Sequence, residues 1–397
     1  MAYTTIDDSS AHFQSLRWTG NDTGQGARDF TFTGNSNMQP DMALGIRENG
    51  VSGRFITDSS RDWSNGNKEW VWNGSNVEGD TGAHNTGAYG WLGPGLTNGI
   101  RMSQAGNYMN INNNGYYGAF WKVNGGTTTS FSENGNHPGG TRQTNTTAGM
   151  SIITYTGTGA NANCQMAHGL GVAPSCVIYK RRDAANVPCM WHSGLGSDGT
   201  LSSSDDNKLV LNNYGGRDAD GAFQNSTIPD STNITVGGTS VNTNADGGTY
   251  VAYVWAEIQG YSKFGRYIGN GHSEGDGTFI YTGFRPQAIF TKRTDANGSW
   301  IWHDTKWGTK NATGTSKGNF GNVQSACQVM ESNSNSIDDY GDIDILSNGF
   351  KLRSDAAATN AGTASYIYGA WAQHPFVTST GTPVSYTHLT LPTILRV

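Results

Sequence analysis

The sequence predicts an all-β protein built of three tandem antiparallel β-sandwich units, jelly-roll-like and roughly 110 residues each. Three observations predict it. Gly283–Arg293, GFRPQAIFTKR, has a near copy in Gly171–Arg181, GVAPSCVIYKR. A strand-like closing segment ending in Trp recurs as YYGAFW, YVAYVW and YIYGAW, at Tyr116–Trp121, Tyr250–Trp255 and Tyr366–Trp371. Its distance from a preceding Pro is 81 residues (40 to 121), 81 (174 to 255) and 85 (286 to 371). Finally, 56 glycines and only 14% charged residues suit short strands joined by tight turns. Helical periodicity is absent throughout.

Taken in order, residues 1–12 are a polar lead-in and 13–122 the first, most diverged unit. This unit opens with Trp18-Thr19-Gly20 and carries Asn-Gly pairs at Asn65-Gly66, Asn73-Gly74, Asn98-Gly99 and Asn114-Gly115. Asn and Gly tolerate positive φ, so such pairs favour hairpins. Residues 123–149 are rich in Gly, Ser, Thr and Asn and read as a linker, or as an extended arm lying on a neighbour. The second unit, 150–257, opens with Tyr155-Thr156-Gly157. Alternation in Tyr250–Trp255 puts Tyr250, Ala252 and Val254 on one face and Val251, Tyr253 and Trp255 on the other. Both faces are apolar, as a central strand requires. The third unit, 258–383, opens with Tyr267-Ile268-Gly269. In both later units the Gly precedes the Pro by 17 residues (157 to 174, 269 to 286).

Composition excludes several classes. Net charge is −6 with no basic run, so neither nucleic acid nor an anionic membrane is expected as a partner. No apolar run approaches the ~18 residues of a bilayer span. The N-terminus lacks the charged and apolar regions of a secretory signal. Cys164, Cys176, Cys189 and Cys327 form no CxxC pair and do not recur between units, so they are expected as free thiols.

The grammar of these units resembles a family of unknown function found in tail-fibre and other virion proteins of marine bacteriophages. The resemblance rests on the opening YTTIDDSSAHF at Tyr3–Phe13, the Tyr-Thr-Gly elements, the Pro-led strand ending in Lys/Arg, and the closing aromatic strand. It also rests on an Asp-Ser/Thr-x-Arg element, here Asp58-Ser59-Ser60-Arg61. Asp304-Thr305-Lys306 fits it partly, and His192-Ser193-Gly194 departs from it. The resemblance implies a virion structural role, most of all a tail fibre or adhesin, and supplies no catalytic residue. The tail Val384–Val397, VSYTHLTLPTILRV, follows none of this grammar and resembles a translated sequencing adapter, so it is set aside as non-native.

Four constellations are candidates for chemistry. Trp191-His192 and Trp302-His303 recur at one place in two units; a Trp face stacks on a pyranose, whereas a core Trp beside a satisfied His needs no ligand. Lys180-Arg181 and Lys292-Arg293 offer cations to an acidic glycan, or close a strand and pair with Asp183 and Asp295. Asp338, Asp339, Asp342 and Asp344 in DDYGDID are oxygen ligands of the kind Ca²⁺ takes, without EF-hand spacing; a solvated acidic turn is the other reading. His272, Glu274 and Asp276 share a Gly-rich loop that reads as a hairpin. HExxH, GxSxG and GxxxxGK[ST] are absent.

The expectation is thus a non-enzymatic virion protein, a fibre or adhesin contacting a bacterial surface glycan or protein alongside other virion proteins. It is expected to assemble in the host cytoplasm and to act on the particle as a homo-oligomer, by analogy with fibres a trimer. A depolymerase cleaving surface polysaccharide and a capsid decoration protein are the alternatives.

Overall fold

The computed structural model describes residues 4–21, 27–48, 54–61, 63, 68–78, 92–102, 109–196, 207–219, 223–238, 240–272, 276–307, 327–331 and 343–374. Apart from the 3-10 turns Ser9–Ala11 and Thr305–Trp307, their regular structure is strand, and every pairing is antiparallel.

Three larger sheets share one strand order. In the first, the opening strand Phe13–Thr19 lies beside the closing strand Gly115–Trp121. Next come the Pro-led strand Met42–Arg47, a fourth strand Arg54–Asp58 and a short fifth, Trp70–Val71. The second sheet places Met150–Thr156, Thr249–Trp255, Cys176–Arg181, Cys189–His192 and Asn207–Val210 in the same sequence. The third places Ser262–Ile268, Ser365–His374, Arg285–Arg293, Trp300–Asp304 and Cys327–Val329 likewise. Registers correspond as well. Trp121 faces Met42, Trp255 faces Cys176 and Trp371 faces Ala288.

The glycine of each opening element has a local steric cause. A Cβ on Gly20, Gly157 or Gly269 would meet the carbonyl oxygen of Ile111, Ala245 or Ala361 at 1.9, 2.4 and 2.3 Å. The same three residues donate their N–H to the hydroxyl of a closing-strand tyrosine: Ile111 to Tyr116, Ala245 to Tyr250 and Ala361 to Tyr366. On each tyrosine the aromatic two residues before the glycine stacks, as Trp18 on Tyr116, Tyr155 on Tyr250 and Tyr267 on Tyr366. The Trp/Tyr-x-Gly motif is thus a lock between a backbone crossing and an aromatic pair.

Each larger sheet carries a smaller one on its outer face. Arg28–Thr31, Gly99–Met102 and Leu92–Leu96 cover the first. Asn163–Ala167 and Asn233–Gly237 cover the second. Phe279–Tyr281, Gly349–Leu352 and Ile343–Leu346 cover the third. Between each pair lies an apolar layer. Tyr250–Trp255 shows the arrangement most directly: Tyr250, Ala252 and Val254 enter the outer layer. Val251, Tyr253 and Trp255 enter a different core, and both faces of the strand are buried as its apolar alternation requires.

That different core belongs to all three larger sheets. It gathers Phe13, Ile56, Trp70, Trp72 and Trp121 with Ile178, Met190, Val251 and Trp255, and with Phe264, Phe290, Trp300, Trp302 and Trp371. The three closing tryptophans form its centre. Trp121, Trp255 and Trp371 lie 6.2, 6.2 and 5.3 Å apart, centroid to centroid, with every pair edge-to-face. Edge-to-face contact sets the positive rim of one ring against the negative face of the next. A small apolar cavity of about 20 Å³ remains beside them, lined also by Cys176, Met190 and Trp302.

Residues 123–149 are not a free linker. Gly140–Asn145 pairs along Met150–Tyr155, and Thr129–Phe131 pairs with Gly140–Arg142, extending the edge of the second sheet. Gln143 secures this arm to the first sheet, donating to the hydroxyls of Ser59 and Ser60 and accepting from Asn124 N–H. Of its β-branched threonines, Thr129, Thr141 and Thr144 lie in the paired strands.

Candidate functional site

One set of buried polar groups lies where one larger sheet meets the next. Three side chains occupy one register position, the last pair of the Pro-led and fourth strands: Asp58 opposite Met42, His192 opposite Cys176 and Asp304 opposite Ala288. Each caps the N–H two residues on, those of Ser60 (2.9 Å), Gly194 (2.9 Å) and Lys306 (2.7 Å). Each also reaches the neighbouring sheet. Asp58 accepts from Tyr253 Oη at 2.6 Å, and Asp304 accepts from Tyr117 Oη at 2.7 Å. His192, whose Nδ1 accepts from Gly194, carries its proton on Nε2 and donates it to Tyr368 O at 3.1 Å. The links run first sheet to second, second to third and third to first. His192-Ser193-Gly194, which departs from the Asp-Ser/Thr-x-Arg pattern in sequence, keeps its geometry because an imidazole nitrogen accepts where a carboxylate oxygen does.

The three environments differ electrically. Asp58 is ion-paired with Arg61 at 2.6 Å in a wholly buried setting. Arg61 also pairs with Glu78 and donates to Tyr253 Oη. Burial opposes its charge, but Asp58, Tyr253 and Glu78 together hold its pKa above the ordinary arginine value. Glu78 in turn meets Arg182 of the second sheet at 3.0 Å. Asp304 has no cation among its hydrogen-bond partners. Burial pushes its carboxyl up to about 7, against the opposing pull of Lys306 N–H, Tyr117 and Ser15. Burial likewise pushes His192 down to about 4, only partly offset by its bond to Tyr368 O.

A second set of contacts runs the opposite way round the ring. Lys292 Nζ donates to the carbonyls of Gly215 (2.6 Å), Gly298 (2.8 Å), Arg293 (2.9 Å) and Tyr214 (3.2 Å). Two of these belong to the second sheet's segment. Lys180 Nζ donates to Asn186 O (2.6 Å) and, at 3.5 Å, to Ser75 O of the first. Burial lowers both ammoniums to about 8. The first sheet has Ile46 at the corresponding position, and the cation comes instead from its cross-strand partner Arg54, whose Nη2 donates to Val329 O of the third sheet at 2.9 Å. Burial brings Arg54 down to about 10.

These placements decide how the candidates from sequence stand in space. Trp191 and Trp302 are each 2% exposed, and His192 and His303 are buried with them, so none offers a face to a sugar. Lys180 and Lys292 are clamps inside the molecule; Arg181 and Arg293 pair with Asp183 and Asp295 at 3.1 and 2.9 Å. Sugar stacking by these tryptophans, and glycan binding by these lysines, would need groups that the fold has consumed. Of DDYGDID, Asp338, Asp339 and Asp342 lie outside the described residues, and Asp344 pairs with Arg353 at 3.3 Å. Glu274 also lies outside them. Among the described residues no group of three His, Cys, Asp or Glu could hold a metal ion, and Cys164, Cys176 and Cys189 are buried and not disulfide-bonded. Sequence reasoning passed over Tyr117, Tyr253, Arg54 and Glu78. The inward register of both tyrosines on their closing strands was the available signal.

A family model described as Domain of unknown function (DUF7483) matches residues 8–375, and the chain belongs to that family. No curated protein and no solved structure matches the chain.

Proposed function

We propose that this member of a family without an assigned role is a non-enzymatic structural protein of a bacteriophage virion, a tail fibre or adhesin whose three tandem units make a single rigid head. One observation carries the reading: Asp58, His192 and Asp304, alike in register, each bond the next sheet, so the buried polar groups close a ring. In an enzyme such groups would converge on a cleft; here they join layers. A rigid body with three outward faces suits a particle-borne protein that must hold its shape outside a cell and touch a surface. The threefold character expected of a fibre would then reside within one chain, with further copies adding avidity. The three units explain the matched strand orders, the matched registers and the tryptophan triangle together.

The test is to incubate the full chain with bacterial cells and their extracted surface polysaccharide, recording retention and sugar chain length. Retention with intact polysaccharide is the expected result. Shortened chains would replace this reading with a depolymerase. Absence of retention, with the chain instead bound to assembled capsids, would replace it with a decoration protein.

A further inference from the structure

The outer sheet of the third unit differs from that of the first at matched positions. Both contain an Asn-Gly turn followed by a strand: Asn98-Gly99 leads Gly99–Met102, and Asn348-Gly349 leads Gly349–Leu352. Gly99 faces Thr31 and Gly349 faces Tyr281, so Thr31 corresponds to Tyr281 and Asp29 to Phe279. The facing residues are Arg101 and Lys351. In the first sheet the solvent-side pair is Asp29 with Arg101, closed as an ion pair at 2.7 Å. In the third Phe279 takes the place of that carboxylate, and Asp344, which faces Lys351 from the strand on its other side, is ion-paired with Arg353 instead. Phe279 is 45% and Tyr281 53% exposed, with Ile280 between them pointing into the core.

The fold does not require these aromatics, since the first unit builds the same strand with Asp29 and Thr31 outward. Two exposed rings on one strand face, about 7 Å apart along it, cost solubility unless they meet a partner. The Phe279 ring lies against Gly349, whose Cβ would stand 3.2 Å from Cε2, so the strip beside Tyr281 carries no side chain. The result is a shallow floor with two ring faces and a cation at one end. Pyranose rings present an apolar face that stacks on aromatics and a hydroxylated edge that stays wet. Asp344, opposite Lys351 on the other neighbouring strand, is held by Arg353 at 3.3 Å, so the Lys351 ammonium still adds preference for an anionic sugar, by charge complementarity at short range. The molecule as a whole carries −6, so the attraction is local to this face.

From this comparison we propose that Phe279, Tyr281 and Lys351 form a binding site for an acidic polysaccharide. The inference rests on the adhesin reading and deepens it by naming the glycan class and the face that holds it.

The experiment uses the full chain immobilised and probed with alginate, a polyuronate, and with neutral dextran. The unaltered chain is expected to retain alginate, increasingly at low salt, and not dextran. Phe279→Ser with Tyr281→Ser should weaken alginate retention at least about tenfold, a loss of roughly two ring contacts. Lys351→Gln should weaken it severalfold and flatten the salt dependence, while Lys351→Arg restores both. Asp29→Ser, the matched change in the first unit, should alter nothing. All sites are solvent-facing, and unchanged thermal unfolding of each variant verifies that the fold persists. Equal retention of dextran and alginate, no retention of alginate, or undiminished retention by the double Ser variant would each overturn the site. So would a lower oligomeric state of that variant than of the unaltered chain, which would make the face a contact between copies. Bacterial cells held equally by the unaltered chain and the double variant would remove this site and leave the adhesin reading standing. Cells held by neither would remove both.

Discussion

His192 and Asp304 stand at the same register position of two different sheets and hold the neighbouring sheet with opposite proton preferences. His192 donates from Nε2 to Tyr368 O, and Asp304 accepts from Tyr117 Oη. One is buried neutral with its pKa pushed down to about 4, the other with its pKa pushed up to about 7.

The pair predicts opposing pH dependences in one window. For His192 the unfolded chain binds more protons than the folded one between about pH 6.5 and 4, so its contribution to stability is lost as pH falls through that range. For Asp304 the folded chain binds more protons between about pH 4 and 7, so its contribution is lost as pH rises, by something on the order of 4 kcal/mol. Asp304→Asn should remove the second slope and leave stability rising with pH from 4 to 6.5. Chemical denaturation across that range would read the change; an unaltered profile in the variant would contradict the assignment.

Asp58 and Asp304 should respond differently to the same substitution. Asp58→Asn strips one of the two counter-charges, Asp58 and Glu78, from wholly buried Arg61 and should cost about 3–5 kcal/mol. Asp304→Asn replaces a carboxyl that is largely neutral below pH 7, without a paired cation, and should cost less than about 1.5 kcal/mol at pH 6. The comparison is one of denaturation midpoints at fixed slope.

Lys292→Met should leave four carbonyls without their shared donor and destabilise by about 2–3 kcal/mol, against about 1–2 kcal/mol for Lys180→Met, which loses one close and one long contact. Lys292→Arg should not restore stability, because a planar fork does not fit a cage around a point charge. Equal losses for both lysines would contradict the role of the carbonyl cage.

Because Trp121, Trp255 and Trp371 share one core, Trp371→Ala should lower the single unfolding transition of the whole chain by about 3–5 kcal/mol rather than split off a third of it. By the same argument residues 150–257 alone should fail to form a stable monomer, having lost the partners of Val251, Tyr253 and Trp255. Calorimetry of the full chain and sedimentation of the fragment check the two halves of this prediction.

Much of this was legible in the chain itself. The strands at Cys176–Arg181, Thr249–Trp255 and Gly349–Leu352 follow from β-branched and aromatic runs bounded by Gly and Pro, which are local signals. The two buried faces of Tyr250–Trp255 follow from alternation alone. Gly20, Gly157 and Gly269 recur because a backbone crossing excludes any Cβ there. The roles of Trp191, Trp302, Lys180 and Lys292 were not legible, since an aromatic that stacks on sugar and one that fills a core are the same letter, and so are a free and a caged lysine. The fold distinguishes them by bringing three sheets separated by more than a hundred residues around one core. Burial, and hence charge state and availability, is a property of those distant neighbours; strand and turn are properties of adjacent residues, which is why the elements can be read along the chain and what their side chains touch cannot.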